Sequence, residues 1–357
     1  MAYRFFFILT APTKALAELL NSNVIGTPGK SMLYQHLEVE KKLDKIANPI
    51  YVNLVKGDNI LGTCCFCNRE TSNSGKRMSS FYLRYFTFKQ KYRSSHKKTV
   101  HRASAGSELR NEINRLLSGE GLAKRVDDRF FHYAYVDPEN SRSLALCNEF
   151  GFKPVRKFST VIFNRLHPKN NVAVEQLADS AIADMQERLT SFYKNYTMFS
   201  FENLFNRGDY FIIRDEKKNI IAGVQANPDR WKIIELPGIS GKFILNLFSA
   251  LPYLNRVIKK EYDFITLEGL YLMPGNEKSL AVLLESILAV YGRNSAMLWL
   301  DNDSALYKAV KSIDLGLVAQ IKREVTAHVI CKFVNVSKED QSFFAANPAY
   351  ISGTDLT

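Results

Sequence analysis

The sequence has 357 residues, with 48 Lys and Arg against 36 Asp and Glu, so its formal net charge is +12. This length is typical of about two domains. A 46% hydrophobic and 24% charged composition excludes disorder over most of the chain. No apolar run approaches the ~18 residues that cross a bilayer. The basic excess favours a nucleic acid or a phosphate-rich cofactor as partner, or serves solubility alone.

The N-terminal region and the cysteines predict the cellular location of the protein. The apolar stretch at 5–9 is shorter than the ~7–15 residues of a signal-peptide core, so we predict a strand there, followed by a helix. Five cysteines is an odd number, and we predict a reducing, cytoplasmic location without disulfides. Cys65 and Cys67 share one face of a predicted strand, with Cys64 on the other. No second Cys/His pair has zinc spacing, so we predict no metal.

The first half of the chain alternates strand and helix patterns. Period-two or continuous apolar runs predict strands, and i, i+4, i+7 spacing predicts helices. Residues 56–59 have the composition of a hairpin turn, and residues 69–76 are predicted to be a polar loop. The predicted strands are 3–9, 50–55, 60–67, 80–88, 130–136 and 155–164, and the predicted helices are 14–20, 33–46, 109–117 and 141–150.

The second half repeats this order in a weaker form. We predict strands at 210–214, 220–226, 264–272, 297–300 and 325–334, and helices at 174–189, 243–251, 280–288 and 305–313. A polar stretch around Pro168 separates a unit at 1–166 from a unit at 172–334. Residues 335–357 have few apolar anchors, which predicts a poorly packed tail. The order alone predicts two α/β units on a mixed sheet.

Residues 136–152 carry the most specific motif. After a predicted strand, Asn140, Leu146, Gly151 and Phe152 match a helix that reads N-x-x-A-x-x-L-Y-E-K-L-G-F. In this motif the sequence resembles the GNAT acyltransferase superfamily, over most of 1–166 and by topology alone at 172–334. The resemblance implies an α/β (α+β) fold of two GNAT-like units, each a mixed, mostly antiparallel sheet flanked by helices. It also implies N-acyltransferase activity, with acetyl-CoA or another acyl-CoA as co-substrate and no metal.

The resemblance also predicts where the co-substrate binds. In this fold the fourth and fifth strands splay apart, so a pantetheine arm can pair with exposed strand backbone and the pyrophosphate can meet a helix N-terminus. No Gly-x-Gly follows residues 88–93, but a small-residue turn appears at 102–107. Alternatively, Ser104 or Ser107 is a plain N-cap. The predicted cofactor-binding residues are Phe86, Phe88, Arg93, Arg102, Ser104, Ala105, Gly106, Ser107 and Asn140.

Three residues are candidates for catalysis by the same resemblance. Cys147 occupies the position of the family's general-acid tyrosine, and a thiol of pKa ~8.5 can protonate a thiolate, although a helical cysteine is also a common core residue. Glu268 lies on the strand that carries the family's general base for the amine, with an exposed strand glutamate as the alternative. Tyr307 is either an acid or a packing residue.

Three functions remain open at this point. The first is a cytoplasmic enzyme that transfers an acyl group from acyl-CoA to a small-molecule or peptide amine. The second is an RNA-binding tandem GNAT-like protein or an aminoacyl-tRNA-dependent transferase, because the stretch from Tyr85 to Arg102 interleaves cations with Phe86, Phe88 and Tyr92. The third is a catalytically inactive GNAT-like scaffold. We predict no membrane partner, and the sequence leaves the acceptor, the acyl group and the oligomeric state open.

Overall fold

The computed structural model describes residues 3–57, 59–89, 103–122, 128–206, 208–238, 241, 243, 245, 259–321 and 324–357. Within these residues, thirteen strands form one sheet, and nine helices flank it. The strands are β1 (Phe6–Leu9), β2 (Leu33–His36), β3 (Pro49–Lys56), β4 (Asn59–Asn73), β5 (Lys76–Phe88), β6 (Phe130–Val136), β7 (Lys153–Asn164), β8 (Val174–Gln176), β9 (Asp209–Arg214), β10 (Ile220–Glu235), β11 (Glu261–Leu272), β12 (Ser295–Asp301) and β13 (Val325–Val334).

The helices lie between these strands and after the last one. They are α1 (Lys14–Asn21), α2 (Val39–Asp44), α3 (Ala103–Leu117), α4 (Ser141–Glu149), α5 (Ile182–Phe192), α6 (Glu277–Val290), α7 (Ala305–Ser312), α8 (Leu317–Ile321) and α9 (Lys338–Ala346). Local sequence explains several of their ends. The Thr13 side chain accepts a hydrogen bond from the Leu16 N–H and begins α1. Gly151, with φ +84°, follows α4 and allows its left-handed end.

The sheet divides into two halves that exchange their closing strands. The strand order is β1-β3-β4-β5-β6-β13-β7-β12-β11-β10-β9-β8, and β2 pairs with the outer part of β10. Strand β7, which ends the first half of the chain, pairs with β12 of the second half. Strand β13, from the second half, pairs with β6 of the first. The antiparallel β7–β13 pair therefore joins two similar halves into one sheet.

Each half contains one parallel strand pair, and both pairs separate after a few residues. Strands β5 and β6 pair over Ser79–Tyr82 and Phe130–Tyr133, although both continue further. Strands β11 and β12 pair only at Ile265–Thr266 and Ala296–Met297. The backbone groups of a strand that leaves its neighbour are free to pair with another extended segment. We call the separation of β5 from β6 the first cleft and that of β11 from β12 the second cleft. These two openings are where this sheet offers backbone groups to a ligand.

The core lies on both faces of the sheet. One face of the first half packs against α3 and α4, and one face of the second half packs against α6. The other face, which carries Tyr133, Tyr135 and Trp299, is shared by both halves. We call this the central face. Helix α6 buries five leucine and isoleucine side chains, which confirms the helical stripe predicted from the sequence.

Several predicted elements are wrong in type. Residues 69–76 are not a polar loop, because β4 continues to Asn73 and β5 begins at Lys76. Arg69, Thr71 and Asn73 alternate inward and are buried among polar partners, which allows polar residues to form a buried strand. Residues 174–189 begin with the short strand β8, and helix α5 starts only at Ile182. In the range 33–46, the first four residues form β2.

The prediction of a poorly packed tail is also wrong. Helix α9 buries Phe344, and residues 349–355 follow it into the interior, ending in a 3-10 turn at Gly353–Asp355. The packing is largely polar, since hydrogen bonds and ion pairs hold this segment rather than a regular apolar pattern. The sequence pattern therefore gave no sign of it. The predicted helix at 243–251 lies mostly outside the described residues.

Candidate active site

The tail segment 349–357 crosses the central face between the two clefts. Glu268, on β11, is one of the second-half residues that hold it, together with Asn203 and Asp301. The Tyr350 hydroxyl donates to Glu268 Oε1 at 2.5 Å, and the Ser352 hydroxyl and the Thr354 N–H both donate to Oε2 at 3.1 Å. Glu268 is 2% exposed, and its burial, opposed by these hydrogen bonds, raises its pKa to about 7.

Arg69, on β4, holds the same segment from the first half. Its guanidinium donates two hydrogen bonds to the Asp355 carboxylate, at 2.8 and 3.0 Å, and its Nε lies 2.8 Å from a Glu202 oxygen. It also donates to the Tyr133 hydroxyl at 3.1 Å. The arginine and Asp355 are both buried, so each charge depends on the other. The tail is thus fixed to both halves by charged groups.

Arg84 and Glu268 occupy equivalent positions in the two halves. Each lies two residues beyond the last parallel pair of its strand and directly before a β-bulge. The bulge residues are Tyr85, with φ +56°, and Gly269, with φ +60°. Arg84 Nη2 donates to the Tyr85 hydroxyl and to the Thr357 carbonyl oxygen, both at 2.9 Å. The same backbone geometry therefore presents a cation in one half and a carboxylic acid in the other.

The tail fills the second cleft. A methyl group added at Gly353 would lie 2.8 Å from Thr266 Cγ2 and 3.1 Å from the Trp299 ring, so Gly353 sits between β11 and β12. Tyr350 packs in the second-half core, whereas Ile351 packs on the central face. A cavity of about 20 Å³ remains beside these residues, which is room for about one water molecule.

The first cleft is more exposed. Phe86 follows the β5 bulge and is 53% exposed, whereas Leu270, at the equivalent position of β11, is 3% exposed. Phe88 packs edge-on against Phe86, with ring centroids 5.2 Å apart. A shallow depression with no room for a water molecule also lies on the central face beside β6. Tyr133, Tyr135, Ser200, Glu202 and Ser352 contribute to its lining.

The predicted cofactor-binding residues are only partly within the described chain. Arg93 and Arg102 lie outside the described residues. Helix α3 begins at Ala103, one residue before Ser104, so Ser104, Ala105, Gly106 and Ser107 form its first turns. The first backbone N–H groups of a helix have no partner within it, so this turn has donors for an anion. Asn140 caps α4, because its Oδ1 accepts a hydrogen bond from the Ser143 N–H at 3.1 Å.

The three predicted catalytic residues do not lie together. Cys147, on α4, packs against the helix-covered face of the first half, and burial raises its pKa. The Tyr307 hydroxyl, on α7, bonds to Glu324 ahead of β13, and burial followed by that carboxylate raises its pKa. Only Glu268 lies on the central face. The catalytic roles of all three stay predictions.

Sequence reasoning missed the residues that bring the two halves to one site. Arg69 fell in a predicted loop, and Tyr350, Ser352 and Asp355 fell in a predicted tail. No periodic pattern identifies them, because their partners are up to 286 residues away in the chain. The available signal was chemical: an acidic and hydroxyl-rich segment in a chain with net charge +12.

Comparison with solved structures gives the fold. N-myristoyltransferase of Saccharomyces cerevisiae, solved with bound myristoyl-CoA, matches at a TM-score of 0.56 and 10% identity, over 93% of this chain and 83% of that chain. The same enzyme with myristoyl-CoA and inhibitors matches at 0.58 and 10% identity, over 99% and 87%. A GCN5-related N-acetyltransferase from Kribbella flavida matches at 0.47 and 10% identity, over 91% and 70%. The fold is of the GNAT type. No family model and no curated protein matches the sequence.

The similarity to N-myristoyltransferase confirms the predicted α/β fold with two GNAT-like units. At 10% identity they concern the fold alone. In the part of the chain that the structure describes, no group of three or more His, Cys, Asp or Glu side chains is arranged to hold a metal ion. No helix among those same residues is long and apolar enough to cross a membrane.

Proposed function

We propose that this protein is an N-acyltransferase that moves an acyl group from acyl-CoA to an amine, with acyl-CoA in the first cleft. The supporting observation is the contrast between the clefts. The second cleft is filled by residues 349–353, whereas Phe86 and its neighbours beyond the first parallel pair are partly exposed. Among the described residues, the first of the two equivalent openings is the one with strand backbone, at residues 83–86, for a ligand to pair with.

Strand β5 suits a pantetheine arm. Beyond Tyr82 its pairing with β6 ends, while β4 still pairs with it as far as Phe88. One edge of residues 83–86 can therefore bond an extended amide-containing chain, as an added strand does. Phe86 and Phe88 supply apolar surface beside that edge. The yeast N-myristoyltransferase of this fold was solved with myristoyl-CoA, which supports an acyl-CoA donor.

The diphosphate of the donor fits the start of α3. The helix begins at Ala103, and its first turns contain small residues at 104–107 that allow close approach of a phosphate. Backbone N–H groups and the positive end of the helix dipole favour an anion there. The basic residues that precede the helix in sequence add charge of the right sign. Part of the +12 charge thereby has a role in binding the donor.

In this proposal the amine approaches the thioester from the central face, which carries Glu268. A neutral amine attacks the carbonyl carbon, because a protonated amine has no free electron pair. In this proposal, strand N–H groups at the Tyr85 bulge stabilise the tetrahedral oxyanion. Glu268 is the predicted base. Its two oxygens are bonded by the tail, so this role requires the tail to release at least one of them.

Calorimetry tests the proposal. Acetyl-CoA and a long-chain acyl-CoA are titrated into the full chain, and we expect saturable heat for at least one of them. Phe86→Asp is expected to weaken the donor about tenfold, or about 1.4 kcal/mol, because it places a carboxylate beside the acyl-CoA. Met273→Asp, at the end of β11, is the matched control at the second cleft and leaves the affinity unchanged. No heat at millimolar ligand contradicts the proposal.

A turnover assay distinguishes an active acyltransferase from a catalytically inactive scaffold. Release of CoA is followed in the presence of a panel of primary amines and peptides with a free N-terminus. Binding without release for any acceptor favours the inactive scaffold. Most of the residues that motivated an RNA partner, from Gln90 to Arg102, lie outside the described residues, so that function stays a prediction, as does the cytoplasmic location.

A further inference from the structure

Residues 352–354, which we call the cleft segment, make few hydrogen bonds to the rest of the protein. The Ser352 hydroxyl and the Thr354 N–H both donate to Glu268 Oε2 at 3.1 Å. Asn203 Nδ2 donates to the Ser352 hydroxyl at 2.8 Å. Among the residues that the structure describes, the side chains of Glu268 and Asn203 are the partners of the cleft segment outside the tail. Its attachment therefore depends largely on one carboxyl group.

The residues on either side of the cleft segment have partners of their own. On one side, the Tyr350 N–H donates to the Thr197 carbonyl oxygen at 2.8 Å. On the other side, the Asp355 carboxylate accepts the two hydrogen bonds from Arg69. None of these contacts involves Glu268. The cleft segment can therefore move while the chain on both sides of it stays in place.

Gly353 is the residue of the cleft segment that enters the second cleft. A methyl group added to it would lie 2.8 Å from Thr266 Cγ2 on β11 and 3.1 Å from Trp299 Cε3 on β12. Both Thr266 and Trp299 are buried. Departure of the cleft segment would therefore expose these side chains and open the second cleft to water.

The charges around Glu268 are not balanced. Arg69 is shared by two carboxylates, those of Asp355 and Glu202. On the neighbouring strand β10, the residue opposite Glu268 is the uncharged Gln225. The titratable and charged groups that surround Glu268, directly or through the tail, are Tyr193 on α5, Arg69 on β4, Glu202 ahead of β9, Asp301 on β12, and Tyr350 and Asp355 in the tail. An ionised Glu268 therefore has no cation partner among the described residues.

We propose that ionisation of Glu268 releases the cleft segment, so that the second cleft opens in response to pH while the protein stays folded. A carboxylate that is buried without a cation gains hydration when the segment leaves. The cavity beside the tail has room for about one water molecule, which is too little to hydrate a carboxylate in the closed state. This inference goes beyond the proposed function, because it requires neither acyl-CoA nor turnover.

The direction of the response follows from the burial of Glu268. Burial, opposed by the Tyr350 hydroxyl and reinforced by the charge of Asp355, raises its pKa from 4.5 to about 7. In the open state the carboxyl group is hydrated, and its pKa returns towards 4.5. The closed state therefore holds the proton more tightly, and closure weakens as pH rises from about 4.5 through 7. Between pH 6 and pH 8 the opening constant of the cleft segment is expected to rise about tenfold.

Amide hydrogen exchange in the full chain tests the proposal between pH 6 and pH 8. The exchange rate of the Thr354 amide, divided by its intrinsic rate at each pH, gives the opening constant. We expect this constant to rise about tenfold in wild type and to stay unchanged in Glu268→Gln, because glutamine does not titrate. Glu70→Gln is the matched control, since it changes an exposed carboxylate on β4, and is expected to behave as wild type.

The Tyr350 amide is the internal control, because its hydrogen bond lies outside the cleft segment. A rise at Thr354 that exceeds any rise at Tyr350 and is absent from Glu268→Gln supports the proposal. A Thr354 opening constant that does not change with pH in wild type overturns it, as does a rise that persists in Glu268→Gln. Equal rises at Thr354, at Tyr350 and in β11 indicate global unfolding and also overturn it. The wild-type comparison of these amides decides the matter even if Glu268→Gln does not fold.

Discussion

The two halves of this protein share one sheet geometry but differ in what occupies the cleft. In each, a parallel strand pair separates, a bulge with positive φ follows, and a charged residue stands directly before the bulge. In the second half that residue is Glu268, and the cleft is occupied by the protein's own tail. In the first half it is Arg84, and Phe86 beyond it is exposed. We therefore propose that the first cleft binds a ligand, whereas the second cleft holds the tail.

The comparison also shows how the halves are held together. The exchanged strands β7 and β13 join them through backbone hydrogen bonds, and the tail joins them through side chains. Arg69 is the tail's anchor in the first half, and Glu268 is its anchor in the second. The two anchors differ in their electrostatics. The Arg69 guanidinium is paired with carboxylates, whereas the Glu268 carboxyl group is bonded by two hydroxyls and one backbone N–H.

The largest effect is expected from Arg69→Met. This change leaves the buried carboxylates of Asp355 and Glu202 without their cation, so we expect a loss of about 3–5 kcal/mol in the free energy of unfolding. Chemical denaturation measures it. Arg77→Ala is the control, since its ion pair with Glu70 is largely exposed and contributes less than about 1 kcal/mol. If both variants lose the same free energy of unfolding, the buried Arg69 ion pairs contribute no more to stability than an exposed pair.

The second-half anchor is expected to act through pH. The pKa of Glu268 is raised from 4.5 to about 7 in the folded protein. The folded state therefore holds this proton more tightly than the unfolded state, and stability is lost as pH rises from about 4.5 through 7. Between pH 5 and 8 the loss amounts to roughly 2–3 kcal/mol.

Glu268→Gln isolates this contribution, because glutamine does not titrate. The free energy of unfolding is measured for both proteins from pH 5 to pH 8. We expect the variant to gain roughly 2–3 kcal/mol relative to wild type across this range. A constant difference between the two proteins would show that the glutamate titrates normally and that the tail does not shield it.

A smaller loss of stability is expected from a change at the second-half bulge. Gly269→Ala is expected to cost about 2 kcal/mol, because its φ of +60° strains an alanine and the added methyl meets Leu204 Cδ2 at 2.5 Å. Gly275, with φ +83°, also has a positive φ but open space around it, so about 1 kcal/mol is expected for Gly275→Ala. Tyr85 already carries a side chain at the first-half bulge. If Gly269→Ala costs no more than Gly275→Ala, crowding at the second bulge is negligible.

Elements with a strong local pattern were predictable. Strand β6 at Phe130–Val136 and strand β13 at Val325–Val334 have the predicted bounds, since both are rich in apolar and aromatic residues. Polar residues buried by distant partners were not predictable. Arg69 looks like a loop residue until Asp355 is placed beside it, and residues 174–176 look helical until they pair with β9.

The sequence by itself determined the succession of strands and helices, the boundary of the motif at Asn140 to Phe152 and the basic excess, because each depends on residues close together in the chain. It also located Glu268 on its strand. Only the tertiary structure decided that the tail fills the second cleft and that Arg69 and Glu268 hold it. Those facts depend on contacts between segments far apart in sequence, and such contacts leave no period along the chain.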